Sequence, residues 1–253
     1  MKYIFTAIWA IVCISVLVFS HIHWNKQIGA IAVKPEETTV AAQESTESPE
    51  VDKYLQLAAY WPEAAKEQLK LALEEEKQFK ILFVGSTSME WEKVLAQSLN
   101  ESFGSERIIT SLYTYDQTST DFVAENKQHE LAAEEAQLIV IEPFLLNDNG
   151  NDKMDVTLNN LTKIIEDIKV ENPQTTFILQ PSHPIYLPKY YSDQVEGLKN
   201  YAVENNLPYL DHWVAWPATD NPEIKNYYDE QTGPTEQGYA VWSQFLVEYF
   251  VNK

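Results

Sequence analysis

Short apolar segments alternate with helical patterns along this chain from residue 79 to residue 250. The apolar segments are short and rich in Ile, Leu, Val and Phe, which is typical of buried strands. Such alternation predicts a parallel sheet with helices on both faces. We therefore predict a three-layer α/β/α sandwich around a mostly parallel, five-stranded sheet. The predicted strands are 80–84, 107–113, 137–141, 175–179 and 208–211, and the predicted helices are 53–78 (divided near Pro62), 89–102, 120–133, 154–170, 189–205 and 235–250.

The end of the first predicted strand carries an unusual group of hydroxyl residues. The apolar run Ile81–Val84 stops at Gly85, and Ser86, Thr87 and Ser88 follow directly before a helical pattern. Backbone N–H groups and the dipole at a helix N-terminus favour negative charge. The turn therefore suits a nucleophile whose reaction intermediate carries an oxyanion. The alternative is that one of these hydroxyls only caps the helix.

The other predicted strands also end in polar residues. In parallel α/β sheets the functional groups gather beyond the carboxyl ends of the strands. We therefore expect hydroxyl, carboxyl, amide and imidazole groups to meet at one edge of the sheet. The residues concerned are Glu142, Asn147 and Asp148 after the third strand, His183 after the fourth, and Asp211, His212 and Trp213 after the fifth.

The first 52 residues differ in composition from the rest. Residues 3–20 form an uncharged apolar run of 18, just long enough to cross a bilayer. An uncleaved transmembrane anchor with its flank (1–33) is the favoured interpretation, and a signal peptide cleaved near Ala30–Ala32 is the alternative. Residues 34–52 are rich in Pro, Glu, Thr and Ser and predict a disordered stalk. Residues 53–253 then form the globular domain, which we expect outside the cytoplasm.

Charge and composition exclude several classes of protein. The formal net charge is −20, from 38 acidic and 18 basic residues, which argues against binding nucleic acid or docking the domain on anionic lipid. Cys13 is the one cysteine, so neither an internal disulfide nor a cysteine zinc site is expected. The chain has only 7 Gly and lacks a phosphate-binding glycine loop. We see no metal-ligand spacing and expect neither metal nor cofactor.

In its motifs the chain resembles the SGNH or GDSL-like hydrolase family over about residues 79–250. Gly85-Ser86-Thr87 matches the Gly-Asp-Ser block that carries the family's nucleophile. Asn147-Asp148 matches the Asn-Asp block, and 229–239 matches the block around the family's Asp-x-x-His-Pro motif. The chain departs from the family in three places, since Thr87 stands for the serine, Glu230 for the aspartate and Gly233 for the histidine.

This resemblance implies an SGNH or flavodoxin-like fold and a set of site residues. The nucleophile would be Ser86, Thr87 or Ser88, and Asn147 would help to hold the oxyanion. Because Gly233 cannot act as a base, the base would have to be His183 or His212. For His212 a structural role in a tight loop is the alternative. The residues expected to line the substrate are Gly85, Glu142, Asp148, Asp211 and Trp213.

The function implied is that of a membrane-anchored esterase or deacetylase acting on an acylated cell-envelope glycan or a small ester. Aromatic residues near the C-terminal loops support a carbohydrate ligand, because sugar C–H faces stack on rings. The same rings are also common in loop packing. The missing histidine favours a second hypothesis, a catalytically inactive protein of the same fold that binds glycan or a protein partner at the cell surface. A purely structural envelope protein is a third possibility. The aromatic residues are Tyr186, Tyr190, Tyr191, Trp213, Trp216, Tyr227 and Tyr228.

Overall fold

The computed structural model describes residues 49–85, 89–229 and 233–252. Strands and helices alternate along these residues as the apolar pattern predicts. The strands are β1 (Phe79–Gly85), β2 (Ile108–Thr114), β3 (Leu138–Ile141), β4 (Thr176–Leu179), β5 (Tyr228–Asp229) and β6 (Gly233–Pro234). The helices are α1 (Pro49–Leu57), α2 (Glu63–Glu74), α3 (Trp91–Phe103), α4 (Ser119–Ala124), α5 (Gln128–Ala132), α6 (Leu145–Asp148), α7 (Met154–Glu171), α8 (Tyr191–Glu204) and α9 (Glu236–Val251).

The main sheet has four parallel strands in the order β2-β1-β3-β4. The predicted fifth strand is reduced to a single parallel bridge between Leu179 and Tyr209. Pairing stops there because the chain turns at once into a 3₁₀ helix, His212–Ala215. The sheet is therefore four-stranded rather than five-stranded, while its parallel α/β class is as predicted.

Apolar clusters cover both faces of the sheet. One cluster packs α1, α2, α3 and α9 against one face, and it contains the ring pair Trp91 and Trp242, whose centroids are 5.5 Å apart. The other cluster packs α4 to α8 against the opposite face. Alternate residues of β1 enter alternate clusters, as Phe83 and Val84 show. This arrangement is the three-layer sandwich that the pattern predicts.

The predicted helix 120–133 is divided into the two short helices α4 and α5. Thr118 accepts a hydrogen bond from the backbone N–H of Asp121 and so caps α4. The helix ends at Ala124 because Asn126 adopts a left-handed conformation, with φ at 56°. Asparagine tolerates that conformation better than most residues do, which explains why the break falls at this residue.

The folded part of the chain begins earlier than predicted. Helix α1 starts at Pro49, and Val51 and Tyr54 on it are buried. The Arg107 guanidinium lies 4.9 Å from the centroid of the Tyr54 ring and also pairs with Glu50. Residues 49–52 therefore belong to the folded part and not to the stalk. The predicted anchor, 1–33, and the rest of the stalk lie outside the described residues, and no helix within 49–85, 89–229 or 233–252 has the length and apolar character to cross a bilayer.

Candidate active site

Gly85 and Glu142 lie side by side where β1 and β3 end. The Glu142 backbone N–H donates to the Val84 carbonyl at 2.8 Å, which extends the parallel pairing by one residue. A β-carbon placed on Gly85 would lie 2.5 Å from Met89 Sδ and 3.3 Å from the Glu142 β-carbon. The glycine therefore leaves room first for the Met89 side chain and then for the buried Glu142 side chain. Ser86, Thr87 and Ser88 themselves lie outside the described residues, as does Glu230.

Two prolines and the neighbouring 3₁₀ helix restrain the segment after β4, Gln180-Pro181-Ser182-His183-Pro184. Its two prolines restrict their own φ angles and favour extended backbone in the residues before them. The Pro181 carbonyl accepts a hydrogen bond from His212 Nε2 at 2.9 Å, and the Ser182 carbonyl accepts one from Trp213 Nε1 at 2.7 Å. The adjacent 3₁₀ helix therefore fixes the backbone at Pro181 and Ser182, directly before His183.

His183 is buried next to Gly233. In the motif comparison above, Gly233 stands where the SGNH/GDSL-like family has its histidine. The His183 ring centroid is 6.1 Å from that of Tyr228, and a β-carbon placed on Gly233 would lie 3.8 Å from His183 Cε1. Gly233 itself has a φ of 85°, a conformation in which a histidine would be strained. The imidazole supplied by β4 thus lies close to the place where the C-terminal loop would otherwise present one.

Burial makes His183 a neutral imidazole at pH 7. It is 5% exposed, and its burial lowers the pKa to about 4. Its Nδ1 lies 3.4 Å from the Ser182 hydroxyl oxygen. The ring is therefore unprotonated at pH 7, as a general base must be, but a pKa this low makes it a weak base. We retain His183 as the candidate base because of its position beside Gly233.

His212, the other candidate base, has both ring nitrogens engaged in the structure. Its Nδ1 accepts a hydrogen bond from Trp216 Nε1 at 3.0 Å, so Nε2 carries the proton that is donated to Pro181. Its ring stacks on Trp242 with centroids 4.2 Å apart, and the residue is fully buried. Burial, which is the largest cause, lowers the pKa of His212 to about 3. The structure therefore gives His212 a supporting role in the loop rather than that of a proton acceptor.

Asp148 braces two helices rather than facing a substrate. It is fully buried, and Oδ1 accepts a hydrogen bond from the Ser119 backbone N–H at 2.7 Å. Its Oδ2 accepts from the hydroxyls of Ser119 and Thr157, each at 2.6 Å. The neighbouring Asn147 donates from Nδ2 to the Gln117 carbonyl at 3.1 Å. Asp148 therefore ties α4 to α7, and in this structure the Asn147 amide contacts the loop after β2.

Replacing Asp148 by alanine is expected to lower the free energy of unfolding by about 3–5 kcal/mol, because three donors lose a buried acceptor. Asp152→Ala is the matched control, since Asp152 accepts a hydrogen bond from the Thr120 hydroxyl at an exposed position. Its expected cost is below about 1 kcal/mol. Urea unfolding followed by tryptophan fluorescence measures both. Equal losses in the two variants would contradict the bracing role of Asp148.

Two further residues predicted to line the substrate, Asp211 and Trp213, contact other residues of the protein. Asp211 pairs with Lys199, with 3.0 Å between Oδ2 and Nζ. The Trp213 ring packs on Tyr191, with centroids 5.5 Å apart. Of the aromatic residues predicted to contact a sugar, Tyr191, Trp216 and Tyr228 are buried, and Tyr190 is 76% exposed. Most of these rings therefore pack the loops, as the alternative interpretation held.

Ser182 was not predicted as a site residue, and Tyr191 was predicted only as a ring that contacts a sugar. Both are buried, and the Tyr191 phenol lies beside the Ser182 hydroxyl and close to Glu142. A serine between two prolines after a strand was the available signal for Ser182. Over the described ranges, no group of three or more His, Cys, Asp or Glu side chains is arranged to hold a metal ion.

The architecture and the polar strand ends define an α/β protein with its candidate site at the carboxyl edge of a parallel sheet. No protein-family model and no curated protein matches the sequence. Solved structures do match it: a protein described as a GDSL-like lipase from Parabacteroides merdae has 13% sequence identity, covers 70% of this chain and 98% of its own, and has a TM-score of 0.57.

Two further structures have the same architecture. A lipase/acylhydrolase from Enterococcus faecalis has 17% identity, with 69% of this chain and 96% of its own covered and a TM-score of 0.55. A catalytic variant of an acetylxylan esterase from Geobacillus stearothermophilus has 12% identity, the same two coverages of 69% and 96%, and a TM-score of 0.53. The chain therefore has the fold of SGNH/GDSL-like hydrolases, which confirms the resemblance seen in the sequence as far as the fold is concerned.

Proposed function

We propose that this protein hydrolyses esters, with a hydroxyl of residues 86–88 as nucleophile and His183 as general base. The observation that carries the proposal is the position of the neutral His183 imidazole beside Gly233. In the SGNH/GDSL-like family, the residue that corresponds to Gly233 is the histidine that acts as the base. Gly85 and the buried Glu142 lie at the same edge of the sheet. Ser86, Thr87 and Ser88 follow Gly85 directly in the chain.

The proposed reaction uses the two nitrogens of His183 differently. Its Nδ1 faces Ser182, so we assign Nε2 to the nucleophile. Nε2 takes the proton of the attacking hydroxyl as its oxygen bonds to the acyl carbon, and it returns that proton to the departing alcohol. Water then attacks the acyl-enzyme in the same way and releases the acid. The expected contribution of Asn147 to holding the oxyanion stays a prediction, since its amide donates to Gln117 here.

We further propose an acylated glycan of the cell envelope as the substrate class, reached by a domain anchored outside the cytoplasm. The support for the anchor is the uncharged run of residues 3–20. The support for the substrate is that a neighbour in fold is described as an acetylxylan esterase. The exposed Tyr190 ring near this edge is available to stack on a sugar face.

The nucleophile is tested with p-nitrophenyl acetate and the full-length chain, comparing Ser86→Ala, Thr87→Ala and Ser88→Ala. We expect one variant to lose activity by about 10³-fold or more, because removing a nucleophile leaves only binding and oxyanion effects. Ser243→Ala is the matched control, since that hydroxyl is buried in α9 and bonds the Ala240 carbonyl. Three fully active variants would contradict the proposal.

A non-catalytic glycan-binding protein is the second candidate. The observation that favours it is the Asn147 amide, which donates to Gln117, together with the absence of a histidine at Gly233. This candidate predicts no hydrolysis by the wild type and retention on an acetylated glycan column. Hydrolysis that depends on one hydroxyl of 86–88 contradicts it.

A further inference from the structure

A hydroxyl lies where a serine–histidine site normally places a carboxyl group. In such sites a buried carboxylate accepts the proton on Nδ1 of the histidine and thereby keeps Nε2 unprotonated for the nucleophile. Here the atom next to His183 Nδ1 is the Ser182 hydroxyl oxygen, at 3.4 Å. A hydroxyl accepts one hydrogen bond while donating another, so it transmits an orientation only if a further acceptor lies behind it.

The geometry supplies a group behind Ser182. The Tyr191 phenol is fully buried, lies beside the Ser182 hydroxyl, and forms no well-aligned hydrogen bond with any described residue. Burial and the nearby Glu142 raise its pKa well above the ordinary value, so the phenol keeps its proton and is available as a donor.

These two hydroxyl groups allow one consistent direction for the hydrogen bonds. When Nδ1 of His183 carries the proton and donates it to the Ser182 oxygen, the Ser182 hydroxyl is left to donate to the Tyr191 oxygen beside it. The backbone around Ser182 is fixed by the bond from Trp213 to its carbonyl and by the flanking prolines. Ser182 is therefore held in place independently of its own side chain.

We propose that Ser182 is the positioning residue of His183, with the Tyr191 phenol oxygen as the acceptor behind its hydroxyl, so that Nδ1 carries the proton and Nε2 is the free base. This inference rests on the proposed function for its catalytic consequence. The tautomer that it assigns to His183 is measurable without any substrate.

The test uses the full-length chain with ¹⁵N-labelled histidine, and long-range proton–nitrogen NMR at pH 7 identifies which nitrogen carries the proton. His183→Gln assigns the signal. We expect the wild type to carry the proton on Nδ1, and Ser182→Ala to shift the tautomer toward protonated Nε2. Tyr191→Phe, which removes one oxygen, is expected to shift it in the same direction by less. Tyr201→Phe and Ser243→Ala are the matched controls, because the Tyr201 phenol bonds Thr162 and the Ser243 hydroxyl bonds the Ala240 carbonyl, both outside this arrangement.

The kinetic readout separates positioning from substrate binding. With p-nitrophenyl acetate, Ser182→Ala is expected to lower kcat about three- to tenfold at an unchanged KM, which is the range of one hydrogen bond. Tyr191→Phe should lower it less, and both controls should leave it unchanged. A wild-type His183 with its proton on Nε2, or a Ser182→Ala variant with unchanged tautomer and kcat, overturns the inference. The expected tautomer shift in a chain without any hydrolysis supports the arrangement and contradicts the proposed function.

Discussion

Replacing His183 by glutamine is expected to lower kcat/KM for p-nitrophenyl acetate by about 10²–10⁴-fold, the usual contribution of a general acid–base residue. The physical reason is that His183 supplies the buried neutral imidazole beside Gly233, whereas the nitrogens of His212 are engaged by Trp216 and Pro181. Because burial lowers the pKa of His183 to about 4, the wild-type base is expected to stay unprotonated down to about pH 5.

His129→Gln is the control for this change, since His129 is exposed and contacts Glu171, the last residue of α7. Stopped and continuous assays on the full-length chain give kcat and KM for both variants, and circular dichroism reports their folding. A folded His183→Gln variant with wild-type kcat/KM would remove His183 from the mechanism.

Acid is expected to destabilise this protein well above the pH range in which carboxyl groups titrate. His183 and His212 are buried, and burial lowers their pKa values to about 4 and about 3, with mutual repulsion as a smaller cause for His212. In the unfolded chain a histidine titrates near 6.5. Below that pH each of these histidines binds a proton in the unfolded chain but not in the folded chain. The free energy of unfolding therefore falls by about 1.4 kcal/mol per pH unit for each histidine.

The stabilisation that depends on these neutral rings is therefore complete above about pH 6.5 and is lost as the pH falls toward 4 for His183 and 3 for His212. Between pH 7 and pH 5 the two residues together should cost about 4 kcal/mol. Urea unfolding at pH 7, 6 and 5 measures the slope. His212→Asn should lower stability at every pH and reduce the slope by about one histidine's share, and an unchanged slope would contradict this assignment.

The fold was largely readable from the sequence because each strand is a short apolar run between helical patterns. The predicted segment 137–141 and the observed β3, Leu138–Ile141, differ by one residue. The fifth strand was overestimated for a local reason. The apolar residues near Tyr209 fit a strand, but sequence gives no sign that the chain enters a 3₁₀ helix directly afterwards at His212.

The sequence indicated which residues belong to the candidate site but not what each of them does. Asp148, His183 and His212 were all predicted as site residues because each follows a strand, and the structure distinguishes them by their hydrogen-bond partners. Asp148 has three donors around it, and His212 has two bonds and a stacked ring. Such contacts join residues far apart in the chain, as Asp148 and Ser119 are, so no local pattern reports them. His183 stands out because it lies beside Gly233.

Covalent labelling tests the central claim most directly. The full-length chain is incubated with diisopropyl fluorophosphate, in which an activated hydroxyl displaces fluoride from phosphorus, and the adduct is located by peptide mass spectrometry. We expect one adduct per chain, on Ser86, Thr87 or Ser88, and we expect its formation to slow by at least about 10²-fold in His183→Gln. No adduct, an adduct elsewhere in the chain, or labelling at the same rate in His183→Gln would contradict an ester hydrolase that uses these residues.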